Sequence, residues 1–221
     1  MTKPEVIPAL GRVVRGLSAV FWGLPAMLLF DAKAALEDSW NPVGFGPVLA
    51  ASALVLYGVH QFGRFQPQER IWAAAVDRAR LSAMLLLALA PFTVWWGRRP
   101  EESFFAHSMV LLLVAGLVFL LALNHLLVRL AAMLPDEALR VETRFFARLN
   151  GTLVVTQGIL FAAYLLLMRL PEPQGPLVWI LSAMELAKAW LVVVLALPPV
   201  ALTMTLLWKT KEVIMTSVFR A

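Results

Sequence analysis

The chain has 221 residues, no cysteine, 61% hydrophobic and 15% charged residues, and a formal net charge of +5. Soluble domains are about 45–50% apolar and about 25% charged, so this composition excludes a soluble globular domain, and its hydrophobicity excludes a disordered chain. The absence of cysteine excludes disulfides, thiol catalysis, thiolate metal sites and iron–sulfur clusters.

A hydrocarbon core about 30 Å thick takes about 20 apolar residues as a helix, and backbone polar groups in lipid must be bonded within the segment. Six stretches read this way, at about 16–36, 47–64, 81–97, 105–128, 150–169 and 177–208. The sequence therefore predicts an all-α, polytopic membrane helix bundle of six spans, a single domain over residues 1–221.

The first span follows Arg12 and Arg15 and ends near Ala32-Lys33-Ala34. A cleaved secretory signal has the same pattern and would leave five spans. The last apolar run, Leu177 to Trp208, is 32 residues long and is interrupted by Glu185, Lys188, Pro198 and Pro199. It predicts a long helix kinked near the two prolines, because each removes a backbone donor.

Lys and Arg set the orientation. With the N-terminus inside, the inner segments hold 14 of them and the outer segments 4, and Lys188 lies within the last run. That split predicts a cytoplasmic (inner or plasma) membrane protein with both termini in the cytoplasm. Trp40, Trp95, Trp96, Trp179 and Trp208 fall near span ends, as an aromatic belt requires.

The two inner connections resemble each other. Pro67-Gln-Glu69-Arg-Ile71 with Ala79-Arg80-Leu81 matches Pro135-Asp-Glu137-Ala-Leu139 with Ala147-Arg148-Leu149 at an offset of 68. Each predicts a tight turn, with Pro at the helix start, and a helix running into span three or span five. The chain then reads as three two-helix units of parallel topology, about 4–64, 67–134 and 135–211. The alternative is that basic, Ala/Leu-rich turns look alike without being repeats. Pro135-Asp-Glu137-Ala-Leu-Arg140 also resembles the P-x-[DE]-x-x-[KR] pattern of mitochondrial carriers over six residues. The Pro67 segment departs from it, with Trp72 in the basic position, so the chain is not read as a carrier. Arg140, Arg144 and Arg148 form an i, i+4 stripe beside Val141, Phe145 and Leu149. Such a stripe suits anionic lipid headgroups or another subunit.

Ionisable and polar residues at membrane depth are the candidates for function. His60 and Gln61 lie on span two, Asn124 and His125 on span four, and Thr156 and Gln157 on span five. Each of His60 and His125 stands four residues before an arginine, Arg64 or Arg129, which places them at matched depth. One reading makes them axial ligands of a b-type haem. The other makes them interhelical hydrogen-bonding groups with Gln61, Asn124 and Gln157 as partners. Glu185 and Lys188, at i, i+3, read either as an ion or proton site or as a self-neutralised pair near the outer interface. Asp31, Lys33 and His107 lie toward the outside, and Gly158 with Ala162 forms a small-xxx-small pattern on span five.

The sequence carries no HExxH, G-x-S-x-G or phosphate-loop motif. No catalytic residue, no metal site and no resident cofactor is therefore expected, the haem reading aside. The leading expectation is a non-enzymatic membrane subunit, scaffold or assembly component. The alternatives are a small transporter or channel-like protein with a polar path through spans two, four and five, and a membrane redox protein. The expected partners are the lipid bilayer, other membrane subunits or a second copy of the chain, and anionic headgroups at the basic loops; nucleic acid is not among them.

Overall fold

Long apolar runs punctuated by proline, glycine and short charged turns leave helix as the one conformation that satisfies their backbones. The computed structural model describes residues 3–36, 44–167 and 196–216, and all of the regular structure among them is helical. The helices are α1 (Lys3–Leu36), α2 (Gly46–Phe62), α3 (Arg70–Leu89), α4 (Pro91–Arg98), α5 (Ser103–Met133) and α6 (Glu137–Leu167). Residues 196–216 are also helical and are called here the C-terminal stretch.

Four helical segments are long and apolar enough to cross a membrane: Pro8–Ala35, Arg70–Arg98, Ser103–Met133 and Glu137–Leu167. At 17 residues, α2 is a shorter apolar helix, about 25 Å long at the usual rise. The expected sixth span, 177–208, is described only from residue 196, so Glu185 and Lys188 lie outside the described residues.

The helices start earlier than the apolar runs. Span three was expected from 81 and span five from 150, yet the helices begin at Arg70 and Glu137. The basic connections thus continue as helix into the spans, as their composition predicts. The prolines sit differently from the expectation. Pro67 and Pro135 stand ahead of the N-cap positions, Glu69 and Asp136, and not in the first helical turn. Asp136 Oδ1 accepts the Leu139 N–H at 2.9 Å, so the carboxylate satisfies one of the orphan donors of α6. Inside span three the helix is interrupted at Ala90, where Pro91 opens α4 without a backbone donor.

The α1–α2 pair packs most extensively. A Cβ on Gly58 would meet Val20 Cγ2 at 2.6 Å and the Gly16 carbonyl at 2.8 Å, so two glycines let the antiparallel backbones touch. Next in order, α3 packs on α5, α5 on α6, and α2 on α3. The C-terminal stretch lies among α1, α5 and α6. Trp208 meets Phe21 of α1 with ring centroids 5.7 Å apart, Thr203 meets Asn124 of α5, and Lys209 meets Glu142 of α6. Its Leu206, Leu207 and Ile214 are fully buried in the main core, with Phe119, Leu123 and Leu127 of α5 and Trp72 of α3. Within the first two of the expected units, α1 packs on α2 and α3 packs on α5.

The two ends of the bundle differ in chemistry. One end gathers Arg64, Arg78, Arg129, Arg144, Arg148 and Lys209 around the α2–α3 and α5–α6 turns; it is called the basic end below. The opposite end carries an aromatic cluster in which Trp95 meets Phe92 at 5.2 Å and Phe45 at 5.3 Å. A small second core, of Ala34, Val48, Ala90 and Val94, lies among α1, α2 and α4.

Candidate functional site

The polar groups that the fold brings together lie where α5, α6 and the C-terminal stretch meet. Asn124 sits on the buried face of α5, and its Nδ2 donates to the Leu120 carbonyl at 2.7 Å and to Thr203 Oγ1 at 3.3 Å. Asn150 of α6 donates through Nδ2 to the same hydroxyl at 2.8 Å and to the Pro199 carbonyl at 3.1 Å. Thr203 Oγ1 in turn donates to the Pro199 carbonyl at 2.7 Å. The hydroxyl is therefore saturated, accepting from two amides and donating once. With both amide nitrogens turned toward it, Asn124 Oδ1 and Asn150 Oδ1 are left buried without a donor.

A second layer lies toward the basic end. Seven residues along each helix from Asn150 and Thr203 come Thr143 and Thr210, on the same faces by helical periodicity. Both are fully buried, and neither hydroxyl has a partner. At that level Lys209 Nζ pairs with Glu142 Oε2 at 2.6 Å and lies 5.6 Å from the Phe146 ring centroid. The seam thus carries buried amide and hydroxyl groups in two layers and ends in a half-exposed ion pair. Among the described residues, the titratable groups at the seam are those of this ion pair, beside the second layer. The seam's unpartnered amide oxygens are acceptors, and its two unpartnered hydroxyls can donate or accept.

Of the residues singled out from sequence, Asn124 enters this site. His60 and His125 are both exposed, on α2 and α5, helices that each pack on α3 and little on one another. Gln61 on α2 and Gln157 on α6 are half-buried. The Arg140-Arg144-Arg148 stripe is not uniform. Arg144 and Arg148 are exposed, whereas Arg140 folds back so that Nη2 reaches the Ala132 and Leu134 carbonyls at 3.5 and 3.4 Å. A cation there complements the C-terminal end of α5, where carbonyls lack helical partners. Gly158 and Ala162 line an apolar groove of about 340 Å³ between α5 and α6, with Leu117 and Phe161. Among the described residues no group of three or more His, Cys, Asp or Glu side chains could hold a metal ion.

Sequence reasoning missed Asn150, Thr203, Thr143 and Thr210. The signal was present as a spacing: Thr143, Asn150 and Gln157 recur at seven residues, as do Thr203 and Thr210. Such spacing keeps polar groups on one face of an otherwise apolar helix.

The chain matches no family model, no curated protein and no solved structure.

Proposed function

We propose that the protein is a non-enzymatic component of a membrane assembly, a subunit or scaffold in the cytoplasmic membrane whose basic end faces the cytoplasm. The observation that carries this reading is the face of α6. In its most apolar stretch 11% of the residues are buried within the chain, against 44% in that of α5. Near its basic end it exposes Val141, Phe145 and Leu149 together with Arg144 and Arg148. Lipid tails accept exposed apolar side chains but not arginines, so a mixed face at this level suits the headgroup boundary or a neighbouring subunit.

Gentle purification of the full chain from its own membrane tests the reading. The expected result is a colourless preparation carrying a stoichiometric membrane partner or a second copy, lost on Phe145→Ala with Leu149→Ala. A Soret band would instead establish the haem reading, and a monomer without partners would remove the assembly role.

A second reading, a small transporter or channel-like protein, is supported by the layered seam of Asn124, Asn150, Thr203, Thr143 and Thr210. It moves the polar path away from His60 and onto α5, α6 and the C-terminal stretch. Ion or solute flux in proteoliposomes, abolished by Asn150→Leu, is its test.

A further inference from the structure

A second groove runs between α3 and α5 and is unlike the apolar one between α5 and α6. Its volume is about 520 Å³, and its walls are apolar along most of their length, with Leu81 and Leu85 on α3 and Val118, Leu121 and Ala122 on α5. The chemistry changes at the basic end of the groove, where Arg78 and His125 join the lining. The helices run antiparallel, so residues 78 and 125 close the same end while 85 and 118 lie toward the other. Arg129, one turn beyond His125, is also close enough for its charge to act on the imidazole, as Arg78 is. The adjacent carboxylate, Asp77, is 3.6 Å from Arg80 on its own helix and is paired there. Ser82 does not add a free donor, because its hydroxyl is bonded to the Arg78 and Ala79 carbonyls.

An open groove parallel to the spans, apolar along its walls and cationic at one end, has the shape and charge of a phospholipid lying beside a protein. Basic pockets between membrane helices recognise anionic headgroups, and the acyl chain contributes through contact with the groove wall. We propose that the α3–α5 groove binds one anionic phospholipid, its chain along Leu81, Leu85, Val118 and Leu121 and its phosphate at Arg78 and His125, with Arg129 behind. This site is separate from the Arg144–Arg148 face of α6, and it gives His125 a role that needs neither a metal nor His60. The occupant is a lipid and not a free phosphate, because the apolar walls have no counterpart in an inorganic anion.

The test uses the purified full chain in mild detergent, with phosphatidylglycerol, phosphatidylcholine or inorganic phosphate added. Retained lipid is read by native mass spectrometry and the unfolding midpoint by heating. Phosphatidylglycerol is expected to stay bound and raise the midpoint, phosphatidylcholine to do so less, and phosphate to do neither. Arg78→Gln, at an exposed position, is expected to weaken phosphatidylglycerol about fivefold, the effect of one surface arginine on an anionic lipid. His125→Gln should weaken it also, and Arg148→Gln should leave it unchanged. Equal responses to the two lipids, an effect reproduced by phosphate alone, or full binding by Arg78→Gln would overturn the proposal. A disulfide-linked dimer of Leu121→Cys formed in membranes would overturn it too, by placing a second copy in the groove.

Discussion

Asn150 on α6 and Thr203 on the C-terminal stretch meet at 2.8 Å with both side chains fully buried. The bond joins segments more than fifty residues apart in sequence, and Asn124 of α5 shares the same hydroxyl. Three helical segments are thus tied at one oxygen atom. Hydrogen bonds between membrane helices contribute about 0.6 kcal/mol on average and up to about 1.7. Thr203→Val keeps the side-chain shape but leaves both amides without that acceptor. It is expected to lower stability by about 1–2 kcal/mol. Thr203→Ser should recover most of the loss. Unfolding midpoints of the two variants in one detergent check this, and a valine variant as stable as the parent would remove the node from the account of stability.

Glu142 and Lys209 lie at the end of the same seam at 2.6 Å, but both side chains are more than a third exposed. Solvent screens such a pair, and its net worth is about 0–1 kcal/mol. Glu142→Gln should therefore cost less than Thr203→Val in the same measurement, and added salt should shrink the difference further. The shorter distance belongs to the weaker interaction, so the order of the two variants tests whether burial outranks geometry here.

The glycines of the α1–α2 crossing predict a contrast in sign. Gly58→Ala drives a Cβ to 2.8 Å from the Gly16 carbonyl, a backbone atom that cannot move aside cheaply. Overpacking of this kind costs about 1–3 kcal/mol. Gly116 is also helical, but a Cβ there meets nothing within 4 Å. Gly116→Ala should be neutral or stabilising by up to about 1 kcal/mol, since alanine is the better helix former. Thermal stability by size-exclusion chromatography after heating separates the two, and equal effects would mean that α1 and α2 do not cross at Gly16 and Gly58.

How much of this was legible in the sequence follows from what each feature depends on. Apolar runs and the helical connections are legible because a run's hydrophobicity acts within a few residues. The Pro91 interruption depends on equally local chemistry, a proline's missing donor, but span three reads as unbroken in the sequence. The capping role of Asp136 is nearly legible: the sequence marks acidic residues at the start of α6, but Pro135 lies two positions before the first helical residue, Glu137. The polar seam was not legible by the criterion of charge at membrane depth. That criterion selects His60 and His125, which are exposed, and passes over Thr143 and Thr210, which are fully buried. Threonine hydroxyls commonly bond back to their own helix, as Thr205 does to Ala201 at 2.9 Å, so residue type alone does not distinguish a seam residue from a self-satisfied one. Only the position of a neighbouring helix makes that distinction. Arg140 shows the same dependence. Its place in an i, i+4 stripe predicts an open cation, but the end of α5 turns it inward.

The chain's natural lack of cysteine turns its orientation into a direct measurement. Arg64 lies in the α2–α3 turn at the basic end, and Glu101 lies in the α4–α5 turn at the other; both are exposed. The helical segment Arg70–Arg98, 29 residues long, separates them. If that segment crosses the bilayer, Arg64→Cys and Glu101→Cys must face opposite compartments. The bias of 14 lysines and arginines against 4 assigns Arg64 to the cytoplasm. A membrane-impermeant maleimide is therefore expected to label Glu101→Cys in intact cells and Arg64→Cys only after the cytoplasmic face is opened. Ala115→Cys, buried within α5, should resist labelling on either side until the protein is unfolded. Labelling of both turns from one face would mean that α3 and α4 together do not cross. Labelling with the sides exchanged would keep the helices but reverse the orientation, and would carry Arg78, His125 and the rest of the basic end to the outer leaflet.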